Sequence, residues 1–425
     1  MKASKYNYVV PFGEKKIFFN GITEAFFIVS PEYEDAYRRL LETPDAQGEW
    51  ADTFLIRMRD AGFIVDDDID ELELVRTKLE SLRRENVYYL MVLPTYQCNL
   101  RCWYCTQEHK HLFMDDKIVE NVRRLIVRKL SEDGIEHLHL SWFGGEPLMA
   151  YDKVCQLTSF AKSVAVGQGK AFTSSITTNG TLLTPERIET LRQLGITHYQ
   201  ITIDGDRRTH NSIKNLGTIS AYDRTLDNIN LIAQHTSVSL RFNYSRDNLR
   251  PALIFKTLQE KLDANVVGNI SFTIFKVWQQ NTEEIDRNDV DALFNNGIGA
   301  GMYSTLHSTG LCYADWINFD CVFPNGHVGK CDNHSPEEVP GILLPDGTVY
   351  WKENMSNYFD YHIFDGHQES CRHCRYLPIC WGPCVAKREA MLRNFGYITC
   401  KFRDSARDME FMLSNKCKTM LQRVE

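Results

Sequence analysis

Thirteen cysteines stand in a chain of 425 residues, and their spacing carries chemistry. Cys98, Cys102 and Cys105 occur in C-N-L-R-C-W-Y-C, a C-x3-C-x2-C pattern. A second group lies beyond Gly301: Cys312, Cys321 and Cys331, then Cys371, Cys374, Cys380 and Cys384 as C-x2-C-x5-C-x3-C, then Cys400. Thiolates ligate zinc or iron–sulfur clusters. Three ligands at 98–105, with His109 and His111 reading as polar loop residues, fit a closed structural zinc poorly. A four-iron cluster held by three cysteines instead leaves one iron open to an exogenous ligand. For the later group, paired zinc knuckles are the competing reading, because C-x2-C serves them equally. Cys155 and Cys417 fall in helical patterns and read as buried, inert thiols.

These residues need a frame. From Val87 to about Val277, strand-like runs alternate with amphipathic stretches: Tyr88–Leu93, Leu138–Phe143, Phe172–Ile176, Tyr199–Ile203, Val238–Asn243 and Ile270–Ile274. Six β-α repeats predict a parallel sheet with right-handed crossovers, either open or a partial barrel. One crossover helix is bracketed by Thr184-Pro185-Glu186 and Gly195. Three short polar motifs end consecutive strands: Gly144-Gly145-Glu146-Pro147, Thr178-Asn179-Gly180 and Thr202-Ile203-Asp204-Gly205. Ligands bind at the C-terminal edge of such sheets, so these motifs read as site residues.

Residues 1–84 read as a separate small unit. Tyr6–Phe12, Lys16–Asn20 and Ala25–Val29 predict strands, and Ser30-Pro31-Glu32 opens a helix. A second helix is expected from Trp50 to Ala61 with Gly62 as its stop, then a short strand at Phe63–Val65. A third helix starts at Asp68 and Glu71 and runs to about Arg84. The segment from about Gly301 is rich in turns, poor in continuous core, holds one long helix near its end, and is expected to rely on bound metal. Met302, Trp316, Trp351 and Trp381 read mainly as packing residues.

Composition narrows the class. With 43% hydrophobic and 24% charged residues the chain is globular. A net charge of −8 argues against nucleic-acid binding. No run of about 18 apolar residues exists for a membrane span, and no signal core opens the sequence, so a cytoplasmic location is expected. An odd number of cysteines in such a chain points to metal ligation rather than disulfides.

The C-x3-C-x2-C motif with an aromatic before its last cysteine resembles the signature of the radical S-adenosylmethionine (SAM) enzymes. The strand-end motifs match further elements of that family in order. The resemblance implies that Cys98, Cys102 and Cys105 hold a [4Fe-4S] cluster whose open iron chelates SAM. It further implies that Gly144, Gly145, Glu146 and Pro147 meet the methionine end, that Thr202 contacts the ribose, and that Thr178, Asn179 and Asp204 belong to the cofactor site. A His-Asp-x-x-Arg run common in the family stands here as His210-Asn211-Ser212-Ile213-Lys214, which leaves the SAM carboxylate contact unassigned.

The C-terminal cysteines resemble the SPASM domain, which carries two auxiliary [4Fe-4S] clusters. Carried over by position, Cys312, Cys321, Cys331 and Cys384 hold the first, and Cys371, Cys374, Cys380 and Cys400 hold the second. The fold implied is α/β: a partial (β/α)6 TIM-like barrel over 85–300, an N-terminal winged-helix-like domain over 1–84, and a cysteine-rich SPASM domain over 301–425.

SPASM enzymes modify peptides or protein side chains. With 97 residues ahead of Cys98, the chain resembles maturases of ribosomally made peptides that carry a leader-recognition element. The implied partners are a precursor peptide with a leader and an electron donor such as flavodoxin or ferredoxin, with neither nucleic acid nor membrane. Two other readings stand beside this one. Asp332, directly after Cys331, matches a catalytic Asp of the anaerobic sulfatase maturases, which make formylglycine. A non-catalytic, cluster-containing peptide-binding adaptor is the third, and all three SAM-motif cysteines speak against it.

Overall fold

The computed structural model describes residues 1–43, 51–277, 279, 285–306, 310–335, 337, 339–352, 364, 369–398, 400 and 406–422. They form two compact units: Met1–Arg84, Ser308–Ile317 and Ser356–Glu425 in one, Glu85–His307 and Asn318–Met355 in the other. Residues 301–425, read from sequence as one domain, are divided between the two.

In the first unit, β1 (Lys2–Ala3), β2 (Asn7–Phe12), β3 (Lys15–Asn20) and β4 (Phe26–Val29) precede α1 (Pro31–Glu42) and α2 (Ala51–Asp60). Then come β5 (Ile64–Val65) and α3 (Glu71–Arg83). Strands β2, β3 and β4 make an antiparallel sheet in that order, whereas β5 pairs with β1. Pro31 occupies the first turn of α1 as expected, although Ser30 makes no side-chain capping bond. Trp50 lies outside the described residues. Gly62, at φ +78°, stops α2.

The capping reading at α3 needs correction. Asp70, not Asp68, caps the helix by accepting from the Leu72 N–H at 2.9 Å. Glu71 is buried and accepts from the Ser4 hydroxyl and, at 3.2 Å, from the Lys5 N–H. A tertiary partner outcompetes the local capping box.

The N-terminal strands have one core of their own, in which Phe18, Val29, Leu40, Met58, Phe63 and Ile64 pack together, and share two others with the C-terminal segment. Tyr6, Val75 and Leu79 pack with Cys371, Leu377 and Trp381. Tyr8, Val10, Ile17 and Phe19 pack with Ile379, Met409, Leu413 and Cys417. Two helices, rather than the one expected, close this unit: α11 (Val385–Phe395) and α12 (Ala406–Leu421).

The second unit is built on parallel strands β6 (Val87–Val92), β7 (His137–Trp142), β8 (Ala171–Thr178), β9 (Ile196–Ile203), β10 (Ser237–Tyr244), β11 (Ile270–Lys276) and β12 (Tyr303–Leu306). They lie side by side in sequence order, joined by α4 (Asp116–Leu130), α5 (Tyr151–Gly167), α6 (Pro185–Leu194), α7 (Arg207–Ile213), α8 (Ala221–Ala233), α9 (Pro251–Gln259) and α10 (Arg287–Gly299). A parallel sheet wound in one direction by right-handed crossovers keeps its helices on one face. All six expected strands are present, and β12 is a seventh that its short sequence YSTL conceals. Beyond β6 the sheet continues through β13 (Phe319–Val322), β14 (His327–Gly329), β15 (Gly341–Leu343) and β16 (Val349–Trp351), of which β13 is parallel to β6 and the rest antiparallel.

Alternation sorts the two faces. Tyr88, Leu90, Val92, Leu138, Leu140 and Trp142 are buried on one. The other is polar. His137 Nε2 lies 2.7 Å and His139 Nδ1 2.8 Å from Thr173 Oγ1, and His139 Nε2 lies 3.0 Å from Ser175 Oγ. Burial pushes His139 down to about 4 and lowers His137 and His198 as well.

A histidine with a depressed folded pKa binds its proton in the unfolded chain first. Its stabilising contribution is complete above about 6.5 and is lost as the pH falls toward 4. Denaturant titrations should therefore show the barrel losing stability between pH 6.5 and 4. His139→Gln should flatten this fall by about 2 kcal/mol, and an unchanged slope would remove His139 from the account.

Candidate active site

The cysteine motif lies in the loop after β6. Cys98 is buried, Cys102 half-buried and Cys105 exposed. Burial, then repulsion among the three sulfurs and from Glu146, pushes Cys98 up to about 11. Burial raises Cys102 and Cys105 too. Such thiols stay protonated without metal, and a cationic cluster reverses that by replacing the protons. Among the described residues no three His, Cys, Asp or Glu converge on a single-ion site. In a four-iron cluster each cysteine takes a different iron, so the donor set fits a cluster.

The Gly-Gly-Glu-Pro loop after β7 explains how the cysteine loop is held. Gly144 has φ +128°, and a Cβ there would lie 2.5 Å from Thr95 O. A Cβ on Gly145 would overlap the carbonyls of Tyr96 and Gln97. The close approach that these glycines permit is to the chain's own cysteine loop. It is fastened by Gly145 N–H to Thr95 O at 3.0 Å and Glu146 N–H to Gln97 O at 2.9 Å.

Glu146 is 1% exposed and acts as a hub. Oε1 accepts from the Thr178 hydroxyl at 2.8 Å and the Leu148 N–H at 3.1 Å; Oε2 accepts from the Asn179 N–H at 2.8 Å. Burial raises its pKa while these donors pull it down. Pro147 follows as the start of a short 3-10 turn.

Asn179, at the end of β8, approaches Cys98 Sγ to 3.9 Å through Nδ2, which also donates to Asn99 Oδ1 at 2.9 Å. Asn99 in turn donates to Thr181 Oγ1 at 3.0 Å. Thr202 is half-buried on the polar face of β9, paired in register with Arg241. Asp204 is fully buried against Tyr104 and Lys214. Asn99, Tyr104 and Lys214 were not singled out from sequence as site residues. Only their adjacency to Cys98, Cys105 and the Asp204 loop marks them.

The remaining cysteines fall into both units. In the first, Cys312 donates to Cys384, which lowers the Cys384 pKa and raises that of Cys312. Cys371 and Cys374 share a turn, with Cys374 N–H bonded to Cys371 O at 3.1 Å. Cys380 is half-buried, and burial, then the nearby Cys400, raises the pKa of Cys374. In the second unit, Cys321 on β13 is fully buried, and the charges of Asp332 and Cys331 act on it. Asp332 is half-buried. Cys417 is core, Cys155 is half-buried on α5, and Met302 and Trp381 are buried.

Removing the Glu146 hub should be expensive, because three donors lose one acceptor. Glu146→Ala is expected to cost about 3 kcal/mol in chemical denaturation, with Glu146→Gln recovering part of it. An Ala variant as stable as the parent would show that water replaces the carboxylate.

Residues 92–242 match the model of the Radical SAM superfamily. An Fe-coproporphyrin III synthase of Methanosarcina barkeri is 29% identical over 170 residues, 39% of this chain and 40% of that one. A PqqA peptide cyclase of Gluconobacter oxydans is 25% identical over 329 residues, 72% of this chain and 87% of that one. The chain therefore spans two fifths of the first relative's length and most of the second's. The solved structure of native anSMEcpe with bound AdoMet and Kp18Cys peptide is similar in fold, with a TM-score of 0.60 at 14% identity over 79% of this chain and 99% of that one. The matched residues contain the cysteine loop, the Gly-Gly-Glu-Pro turn and the ends of β8 and β9, so the segment that carries the site is similar to the Radical SAM superfamily.

Proposed function

We propose that this chain is a radical SAM maturase that modifies a ribosomally made precursor peptide. The observation that carries this reading is the convergence of the cysteine loop, Gly144–Pro147, Thr178–Asn179 and Thr202 at the C-terminal ends of adjacent parallel strands. The similarity to a PqqA peptide cyclase over 87% of that enzyme gives the substrate class. Cys98, Cys102 and Cys105 hold a [4Fe-4S] cluster. The carbonyls of the Gly144–Gly145 turn receive the SAM ammonium, because the Glu146 carboxylate is already engaged by protein donors. Thr202 meets the ribose. When bound and reduced, the cluster and SAM would supply radical chemistry able to abstract a hydrogen atom from the peptide.

Two auxiliary [4Fe-4S] clusters on the eight cysteines from Cys312 to Cys400 complete the reading, with Cys371, Cys374, Cys380 and Cys400 as the ligands of the second. An electron donor such as flavodoxin or ferredoxin is required. The sulfatase-maturase reading, with Asp332 as its catalytic residue, is second. The 97 residues ahead of Cys98 weigh against it.

The N-terminal strands with α1–α3 are read as a winged-helix leader-recognition element, and the C-terminal cysteines as a SPASM domain. The outer edge of β4 suits a leader strand, since among the described residues no further strand pairs there. The Asn20 N–H to Ala25 O bond fixes the alternation in this hairpin, so the amides of Phe26 and Ile28 point away from β3. Main-chain pairing at that edge gives affinity, and side-chain pockets select the leader.

Two measurements test the proposal. Anaerobic reconstitution should load about twelve irons and as many sulfides, falling to about eight when Cys98, Cys102 and Cys105 are all Ala, with SAM cleavage abolished. Stoichiometric zinc without iron absorbance overturns it. Ile28→Pro removes one outward donor without touching the β3 pairing, so it should weaken leader-peptide binding about tenfold while SAM cleavage continues. Unchanged peptide affinity would remove β4 as the docking edge.

A further inference from the structure

The side chain of Tyr104 reaches out of the cysteine loop and ends on a buried charge. Its hydroxyl lies 2.8 Å from each oxygen of Asp204. Asp204 is 0% exposed and follows β9 directly, while the loop itself leaves β6; β7 and β8 lie between those strands. The second partner of the carboxylate is Lys214, 2% exposed, with Nζ 2.9 Å from Oδ2 and 3.2 Å from Thr202 O. Backbone bonds secure the arrangement from behind. Asn248 Nδ2 donates to Asp204 O at 3.1 Å, and the Asp204 N–H donates to His210 Nδ1 at 3.2 Å. Gln279 Nε2 donates to Tyr104 O at 2.7 Å from beyond the end of β11, and Asn243 on β10 bonds the phenol.

We propose that Tyr104, Asp204 and Lys214 form a latch that draws the cysteine loop across the mouth of the barrel and sets the positions of Cys102 and Cys105 before any iron is bound. The physical reason is the cost of an isolated buried charge. Asp204 without Lys214, or Lys214 without Asp204, would be a bare ion in a dry interior, so the pair must stay closed. The phenol then has one strong acceptor, and the loop follows it. Tyr104 stands between Cys102 and Cys105, so fixing its hydroxyl fixes the turn that carries both, which is itself closed by Cys105 N–H to Cys102 O at 3.1 Å. Asp204, expected from sequence to meet the cofactor, is by this geometry a positioning residue: both its oxygens face the protein.

The test begins with the metal-free full-length chain, so its first arm does not depend on the enzyme's substrate. Tyr104→Phe removes one hydroxyl and keeps the ring. Hydrogen exchange under anaerobic, reducing conditions should accelerate about tenfold or more at amides 99–106, with β7 and β8 unchanged. Asp204→Asn alone strands a buried ammonium, so its companion is the neutral pair D204N/K214M, expected to fold and to exchange in the loop as fast as Tyr104→Phe. After reconstitution, both variants should bind SAM about tenfold more weakly, an arm that rests on the cluster reading of Cys98, Cys102 and Cys105. Loop exchange equal to wild type in both variants overturns the latch. Acceleration spread equally over β7 and β8 overturns it too, because the residues would then be ordinary core contacts. Faster loop exchange with unchanged SAM affinity keeps the latch in the metal-free protein and places the fault in the cofactor reading.

Discussion

Two stretches of backbone, residues 95–97 after β6 and 144–146 after β7, lie in contact with no side chain between them. Everything at the site depends on that approach. It requires glycine at 144 and 145, because any Cβ would meet a carbonyl oxygen. It places the Glu146 carboxylate beneath the cysteine loop, where Thr178 and the Asn179 amide bind it and bring the end of β8 to the same point. Asn179 then reaches Cys98 and Asn99. One steric constraint thus recruits three strand ends in succession, each by a hydrogen bond to a group that the previous one has fixed.

Buried charge is the second organising theme, and within each unit it recurs near the cysteines. Lys330, beside Cys331, pairs with Asp320, beside Cys321, and Tyr88 donates to the same carboxylate at 2.9 Å. In the other unit Arg388, four residues after Cys384, pairs with Asp315, three after Cys312. Such pairs add little net stability over apolar packing, but breaking one by removing a single partner is costly. They therefore specify a geometry more than they strengthen it, which suits loops whose cysteines must stand at set positions.

How far the sequence discloses this varies with the range of the interaction. The parallel strands were legible because period-two burial and apolar runs are local, and so were the Thr184 and Gly195 ends of α6. The cysteine and strand-end motifs were legible because glycines, thiols and carboxylates in fixed order have few other uses. What escaped is non-local. Asp68 looked like the cap of α3 because nothing local says that Glu71 will turn to Ser4. The bond from Tyr104 to Asp204 gave no local sign, because the two are a hundred residues apart. Residues 1–84 looked self-contained because their strand pattern is complete; they do hold one core of their own, yet the apolar residues that cover Tyr6, Tyr8 and Phe19 include Leu377, Ile379 and Met409.

That shared core sets an order of events during synthesis. Leu377, Ile379 and Met409, on which Tyr6, Tyr8 and Phe19 close, leave the ribosome about 370–390 residues after them, a delay of roughly 20–80 s at ordinary elongation rates. The parallel sheet β6–β12, whose neighbouring strands are consecutive in the chain, completes its contacts within that interval. The first segment to be made is among the last to be buried. Tyr6, Tyr8 and Phe19 lack these partners through most of translation, so that part of the N-terminal strands stays open while the parallel strands downstream pair.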